Sequence, residues 1–150
     1  MKNQRMDKLQ TTIQKAISVS GVGLHTGNNV TLTFEPAPED HGYAFQRTDL
    51  ENQPIIKADC DLVTDTSRGT TLEEHGVKVN TVEHVLAALA GLEIDNCLIK
   101  MDAPETPIMD GSSKPFIDLF FNLEFRLKRK KGNISIFQIE SIIQTATGLK

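Results

Sequence analysis

Val30, Leu32 and Phe34 alternate with Thr31 and Thr33. This period of two predicts a strand with one buried face, which Pro36-Ala37-Pro38 then closes. Residues 13–22 alternate in part, with Ile17 and Val19 on one face, and predict an earlier strand. Further strands are predicted at 43–47, YAFQR, and at 97–101, where Cys97, Ile99 and Met101 alternate with Leu98 and Lys100. Thr70-Thr71-Leu72 and Val77-Lys78-Val79 flank His75-Gly76, the arrangement of a hairpin.

The period changes in VNTVEHVLAALAGLEIDN, residues 79–96. Val82, Val85, Leu86 and Leu89 fall on one stripe at helical spacing, so a helix over 82–90 is predicted with that stripe against the sheet. Asn80 or Thr81 is placed to cap it, Glu83 stands three residues after Asn80 as in a capping box, and Gly91 supplies a stop. A second helix is predicted near 115–120, with Pro115 in its first turn after Ser112-Ser113. Strand, helix, strand favours an α/β (α+β) two-layer sandwich over an all-β fold: a mixed or antiparallel sheet with helices packed on one face. On the helix, His84 points away from the apolar stripe, with Ala87 and Ala88 one turn on and Gly91 two turns on. Such a small, uncharged face either admits a second packed layer or reflects the helix propensity of alanine alone.

One domain suits 150 residues with 39% hydrophobic content. A net charge of −4 and pI near 5.5 argue against bulk attraction to nucleic acid or to an anionic membrane. Cys60 and Cys97 form no CxxC pair, the first seventeen residues hold no secretory apolar run, and no segment approaches the ~20 apolar residues of a membrane span. The expectation is a reducing, cytoplasmic compartment with no transmembrane segment. The basic run at 126–131 reads as a solvated linker and not a nucleic-acid patch. Residues 121–150 are expected to pack less well than the rest, or else Phe121, Phe125, Ile136 and Phe137 collapse onto the helix face.

Two stretches bear on chemistry. GVGLHTGNN has glycines at 21, 23 and 27, but the spacing is GxGxxxG and a strand follows, so no helix N-terminus is there to meet a phosphate. It reads as a strand-to-strand connection, with His25 at its tip either an exposed loop histidine or a functional one. Glu83 and His84 are adjacent: a neutral imidazole can ligate zinc while a neighbouring carboxylate takes a proton from the metal's water, the pattern of metal-assisted hydrolysis. The alternative for Glu83 is a cap with no chemical duty. The chain has no HExxH, and His25, His41 and His75 show no metal-ligand spacing to His84.

GVGLHTG, VTLTFEPAP, RTDL, TVEHVLAALAGLEIDN and APETPIMDGSSKPF, in that order, resemble the N-terminal domain of the UDP-3-O-acyl-N-acetylglucosamine deacetylases, the zinc amidases of lipid A biosynthesis, over residues 13–119. The resemblance implies that Glu83 is the general base and His84 a ligand of Zn2+. It implies a substrate, UDP-3-O-(3-hydroxyacyl)-N-acetylglucosamine, from which acetate is released, and a substrate region lined by Leu24, His25, Ser67, Arg68 and Gly69. It implies two similar sandwiches packed helix layer to helix layer, so that a second domain covers the His84, Ala87 and Ala88 face. In that family the remaining zinc ligands, in an HKxxD motif, and a further histidine belong to the second domain; this sequence contains no HKxxD. Residues 120–150 are therefore expected to be a divergent linker or a truncated start of that domain, and the chain an incomplete, inactive N-terminal part. The alternative is a non-catalytic domain that keeps the fold and acts as a binding module.

Overall fold

The computed structural model describes residues 9–122 and two short strands at 127–129 and 132–133. Its strands are β1 (Thr11–Ile13), β2 (Ile17–Val22), β3 (Asn29–Pro36), β4 (Tyr43–Arg47), β5 (Ile55–Lys57), β6 (Val63–Asp65), β7 (Thr71–Glu74), β8 (Val77–Val79), β9 (Cys97–Met101), β10 (Leu127–Arg129) and β11 (Gly132–Asn133). Its helices are α1 (Glu83–Gly91) and α2 (Lys114–Asn122), with a short 3-10 turn at Cys60–Leu62. The main sheet runs β2-β3-β9-β4-β5. β4 and β9 pair in parallel and the other neighbours are antiparallel, so the sheet is mixed. Smaller sheets are β6-β7-β8 and β1-β10-β11.

The alternation in β3 decides the layering. Val30, Leu32 and Phe34 are buried on the inner face. On the outer face hydroxyls pair across β2 and β3, Ser18 with Thr33 at 2.9 Å and Ser20 with Thr31 at 2.8 Å, and Lys100 meets Glu35 at 3.0 Å. Both helices lie on the inner face. Phe34 meets the rings of Phe120 and Phe116 edge-on at 4.9 and 6.5 Å, while Val82, Val85 and Leu89 enter the same core. Each such side chain contributes roughly 2 kcal/mol by leaving water. The α/β sandwich with helices on one face is what the periodicities predict.

The structure departs from the sequence reading at four points. The stretch 13–22 is not one strand: Ile13 ends β1, the exposed Gln14, Lys15 and Ala16 interrupt the chain, and β2 starts at Ile17; β1 pairs with β10 and touches the edge of β9 only through a single bridge from Thr12 to Asn96. Helix α1 has no capping box: its N-cap is Val82, with no side-chain cap. The Asn80 carboxamide is engaged with the Thr71 hydroxyl and the Pro104 carbonyl, and Glu83 turns away to accept from the Thr70 amide at 3.0 Å. Gly91 is the last helical residue, and the left-handed position after it falls on Glu93, φ 56°. Finally, Ala88 is completely buried in the core, so it does not share the open face with His84; the exposed stripe carries Ala87 and Ala90. The β7–β8 hairpin does turn at His75-Gly76, both at positive φ (50° and 78°), as a two-residue connection of twisted strands requires.

Of the tail, Phe121, in the last turn of α2, is a 44% exposed side chain. Phe125, Ile136, Phe137 and the basic run 126–131, apart from the backbone of β10, lie outside the described residues. Among the described residues no helix is long and apolar enough to cross a membrane.

Candidate active site

The glycine spacing of GVGLHTG has a steric origin. The segment 103–109 runs alongside β2, and the Ile108 amide donates to the Val22 carbonyl at 2.9 Å. A methyl group on Gly21 would stand 2.7 Å from Cβ of Pro107, and one on Gly23 would stand 2.5 Å from Oε2 of Glu105. These are distances no side chain tolerates without a shift. Gly21 and Gly23 admit a neighbouring chain segment, whereas Gly27 has open space around it and stands at φ 68°.

Glu105, from APETPIMDG, is 1% exposed. Its carboxylate accepts the Thr26 amide at 2.9 Å, the His25 amide at 3.1 Å and the Thr81 hydroxyl at 2.9 Å. Burial works to raise its pKa, but the Thr26 amide, the Thr81 hydroxyl and the His25 amide outweigh it and hold the group below the ordinary glutamate value. The loop it holds aims His25 at the facing loop, where Nε2 donates to the Arg68 carbonyl at 2.8 Å.

Across the cleft the chain enters α1 through Thr81, a β-branched residue at φ 62°. That conformation costs on the order of 1–3 kcal/mol. It is held from both sides: the Thr81 hydroxyl donates to Glu105, and the Thr106 hydroxyl donates to the Thr81 carbonyl. Glu83 follows in the first turn, where the helix dipole favours an anion. Its Oε2 accepts from the Thr70 amide, and its Oε1 lies beside Gly69 (φ 147°), where an added methyl would come within 3.2 Å.

These elements enclose a cleft of about 200 Å³. His25, Asp65, Arg68, Gly69, Thr81 and Glu105 are among its lining residues, and Glu83 stands at its edge against Gly69. Three of the expected substrate residues, His25, Arg68 and Gly69, thus come together. Leu24, 59% exposed, and Ser67, whose amide donates to the Asp65 carboxylate at 2.8 Å, do not line the cleft. That bond and those from the Ser67 hydroxyl and Thr66 lower the Asp65 pKa, with Arg68 adding a smaller electrostatic effect. His84, half-buried on the next helical position, does not line it either. Glu105 carries no role in the sequence reading, and Thr81 enters it only as a candidate helix cap. The signal available was a glutamate between prolines in APETPIMDG, but its partners lie 80 and 79 residues away at His25 and Thr26 and 24 residues away at Thr81.

The residues fit one arm of a zinc site. His84 could supply one imidazole, with the Glu83 carboxylate on the neighbouring residue, whereas a catalytic zinc takes three protein ligands. Among the described residues, the group of three metal-capable side chains lying close together is the exposed Asp59, Cys60 and Asp61, away from α1 in sequence and without His84. Burial pushes the Cys97 thiol up to about 12, which removes it as a thiolate ligand or nucleophile.

A family model described as UDP-3-O-acyl N-acetylglycosamine deacetylase (LpxC) matches residues 10–149. Over 108 residues the sequence is 56% identical to a protein of Bacteroides thetaiotaomicron named bifunctional enzyme LpxC/FabZ, covering 72% of this chain and 23% of that protein. Over 110 residues it is 54% identical to the UDP-3-O-acyl-N-acetylglucosamine deacetylase of Myxococcus xanthus, covering 73% and 35%. The protein of that name from Xanthomonas campestris pv. campestris is 49% identical over 110 residues, covering 73% and 36%. The matched stretch spans about a quarter to a third of the length of these relatives.

Proposed function

This chain belongs to the UDP-3-O-acyl N-acetylglycosamine deacetylase family, and from that footing we propose that it carries the general base and one metal ligand of a zinc-dependent, cytoplasmic deacetylase. The substrate is UDP-3-O-(3-hydroxyacyl)-N-acetylglucosamine and the product acid is acetate, a step in lipid A biosynthesis. The observation that carries the reading is Glu83, whose carboxylate is fixed at the cleft edge by the Thr70 amide with His84 as its chain neighbour.

Zinc, when bound, lowers the pKa of its water and polarises the amide carbonyl. His84 is the ligand this chain offers from α1. Glu83 accepts the proton that the attacking water loses, and the Thr70 amide keeps that carboxylate aimed. His25, Arg68 and Gly69 line the cleft on the side from which substrate approaches. The remaining ligands come from a second α/β layer packed over the open stripe of Ala87 and Ala90, whose small side chains allow close approach.

Zinc titration and acetate release, measured together, test this. With one imidazole at α1, the chain alone is expected to bind zinc weakly and to release no acetate. His84→Ala should abolish the weak binding and Glu83→Ala should leave it. Zinc binding indifferent to His84→Ala would overturn the assignment. Tight stoichiometric zinc with turnover lost in Glu83→Ala would overturn the need for a second layer.

A further inference from the structure

The contacts around the cleft close into a ring. Glu105 holds the His25 and Thr26 amides. His25 reaches the Arg68 carbonyl. Gly69 and Thr70, next in the chain, pack on and donate to Glu83. Two residues before Glu83, the Thr81 hydroxyl returns to Glu105. A glutamate is almost never fully buried without a compensating partner, and here the partners among the described residues are three dipoles from two segments remote in sequence. An acceptor-only carboxylate suits three converging donors.

We propose that Glu105 is a positioning residue, a buried carboxylate beneath the cleft that sets His25 and Glu83 relative to one another by gripping the β2–β3 loop with one side and Thr81 with the other. This deepens the reading above and rests on it for what the two positioned side chains do. The strained φ of Thr81 supplies the lever. Without its bond to Glu105 the residue relaxes toward ordinary backbone conformations, and the first turn of α1 shifts with it, carrying Glu83. Because the ring is closed, loosening it at Thr81 also loosens the His25 end. The same carboxylate explains why position 23 must be glycine, since a methyl there would displace Oε2.

Amide hydrogen exchange and the 15N shifts of the His25 ring, recorded on the full chain, test the coupling. Thr81→Val keeps the β-branched shape and removes only the hydroxyl. It should speed exchange of the His25 and Thr26 amides by about tenfold, as expected when a hydrogen bond to a charged group is lost. It should also release the His25 ring from its fixed Nε2–H form, while the Leu32 and Ile99 amides of the central sheet stay protected. Thr81→Ser, which restores the hydroxyl, should restore both signals. Glu105→Gln, neutral but of the same size, should speed exchange at His25, Thr26 and Thr70 in the same direction by a few-fold, which guards against a Thr81 variant that fails to fold. Unchanged exchange at His25 and Thr26 in Thr81→Val, or equal acceleration throughout the sheet, would overturn the proposal. These readouts need neither zinc nor turnover. Coupling that survives while zinc ignores His84 would sink the functional reading alone, and the reverse result would sink this one alone.

Discussion

Gly23 and Gly91 look alike in the sequence and answer to different constraints in the fold. A methyl on Gly23 would meet Glu105 Oε2 at 2.5 Å and the Thr26 hydroxyl at 2.6 Å; the first accepts from the Thr26 amide and the second from the Asn28 amide, so the neighbours cannot simply rotate away. Gly91 ends α1 with nothing within 4 Å of the added atom. Gly23→Ala should therefore destabilise the protein by about 1–3 kcal/mol, and Gly91→Ala should stabilise it by about 0.5–1 kcal/mol through lost backbone freedom in the unfolded chain. Urea unfolding of the two variants beside wild type checks this; equal effects at the two positions would remove the argument for a Gly23 to Glu105 packing constraint. The sequence was enough to reject a phosphate loop at 21–27, because that depends on local spacing and on the strand that follows. It could not name the partner that excludes a side chain at 23, because Glu105 reaches that position only through the fold.

At the scale of the element, α1 shows what periodicity can and cannot reveal. Val82, Val85 and Leu89 are large and apolar, so the spacing alone assigned them correctly to the core. Alanine carries almost no such signal: Ala87 and Ala88 are indistinguishable by pattern, yet one is exposed and the other has no exposed surface. The cap was misread for a related reason. Asn80, Thr81 and Glu83 have the right identities for a capping box, but the Asn80 and Thr81 side chains are engaged by Thr71, Pro104 and Glu105, which sequence spacing does not bring to mind. A leucine scan separates the two alanines. Ala88→Leu should cost about 1–3 kcal/mol by overpacking, Ala87→Leu should lie within about 0.5 kcal/mol of wild type, and Leu89→Ala should cost about 2–5 kcal/mol. Thermal or urea melts give the three values. An Ala87→Leu chain as unstable as Ala88→Leu would mean that the open stripe is not open.

Across the whole molecule, the sandwich was readable because its strands alternate and its helices do not, whereas the ties between its parts depend on polar contacts that no period encodes. Two such ties are carboxylates. Arg47 is 6% exposed at the end of β4, donates to both oxygens of Asp49 at 2.8 and 2.7 Å and to the Lys78 carbonyl at 2.8 Å, and so fastens the main sheet to β8. Its hydrogen bonds lower the Asp49 pKa against the opposing effect of burial. Glu105 fastens the β2–β3 loop to the start of α1 and is likewise held low by its donors. A carboxylate whose folded pKa lies below its unfolded value binds protons more readily in the unfolded chain. Its contribution is therefore fully present above the unfolded value, about 4 for these groups, and is lost as pH falls through the lower folded value. Stability should be level from about pH 7 down to about pH 5 as far as these two groups set it, and should decline below about pH 4. Asp49→Asn and Glu105→Gln should each lower the neutral-pH stability and flatten the acid decline, since the substituted amide has no proton to gain. Urea midpoints taken between pH 3 and pH 7 supply the measurement. If Glu105→Gln lost the same stability at pH 3 as at pH 7, the carboxylate would matter for its shape and not its charge, and the three donors converging on it would be serving an acceptor that an amide could replace.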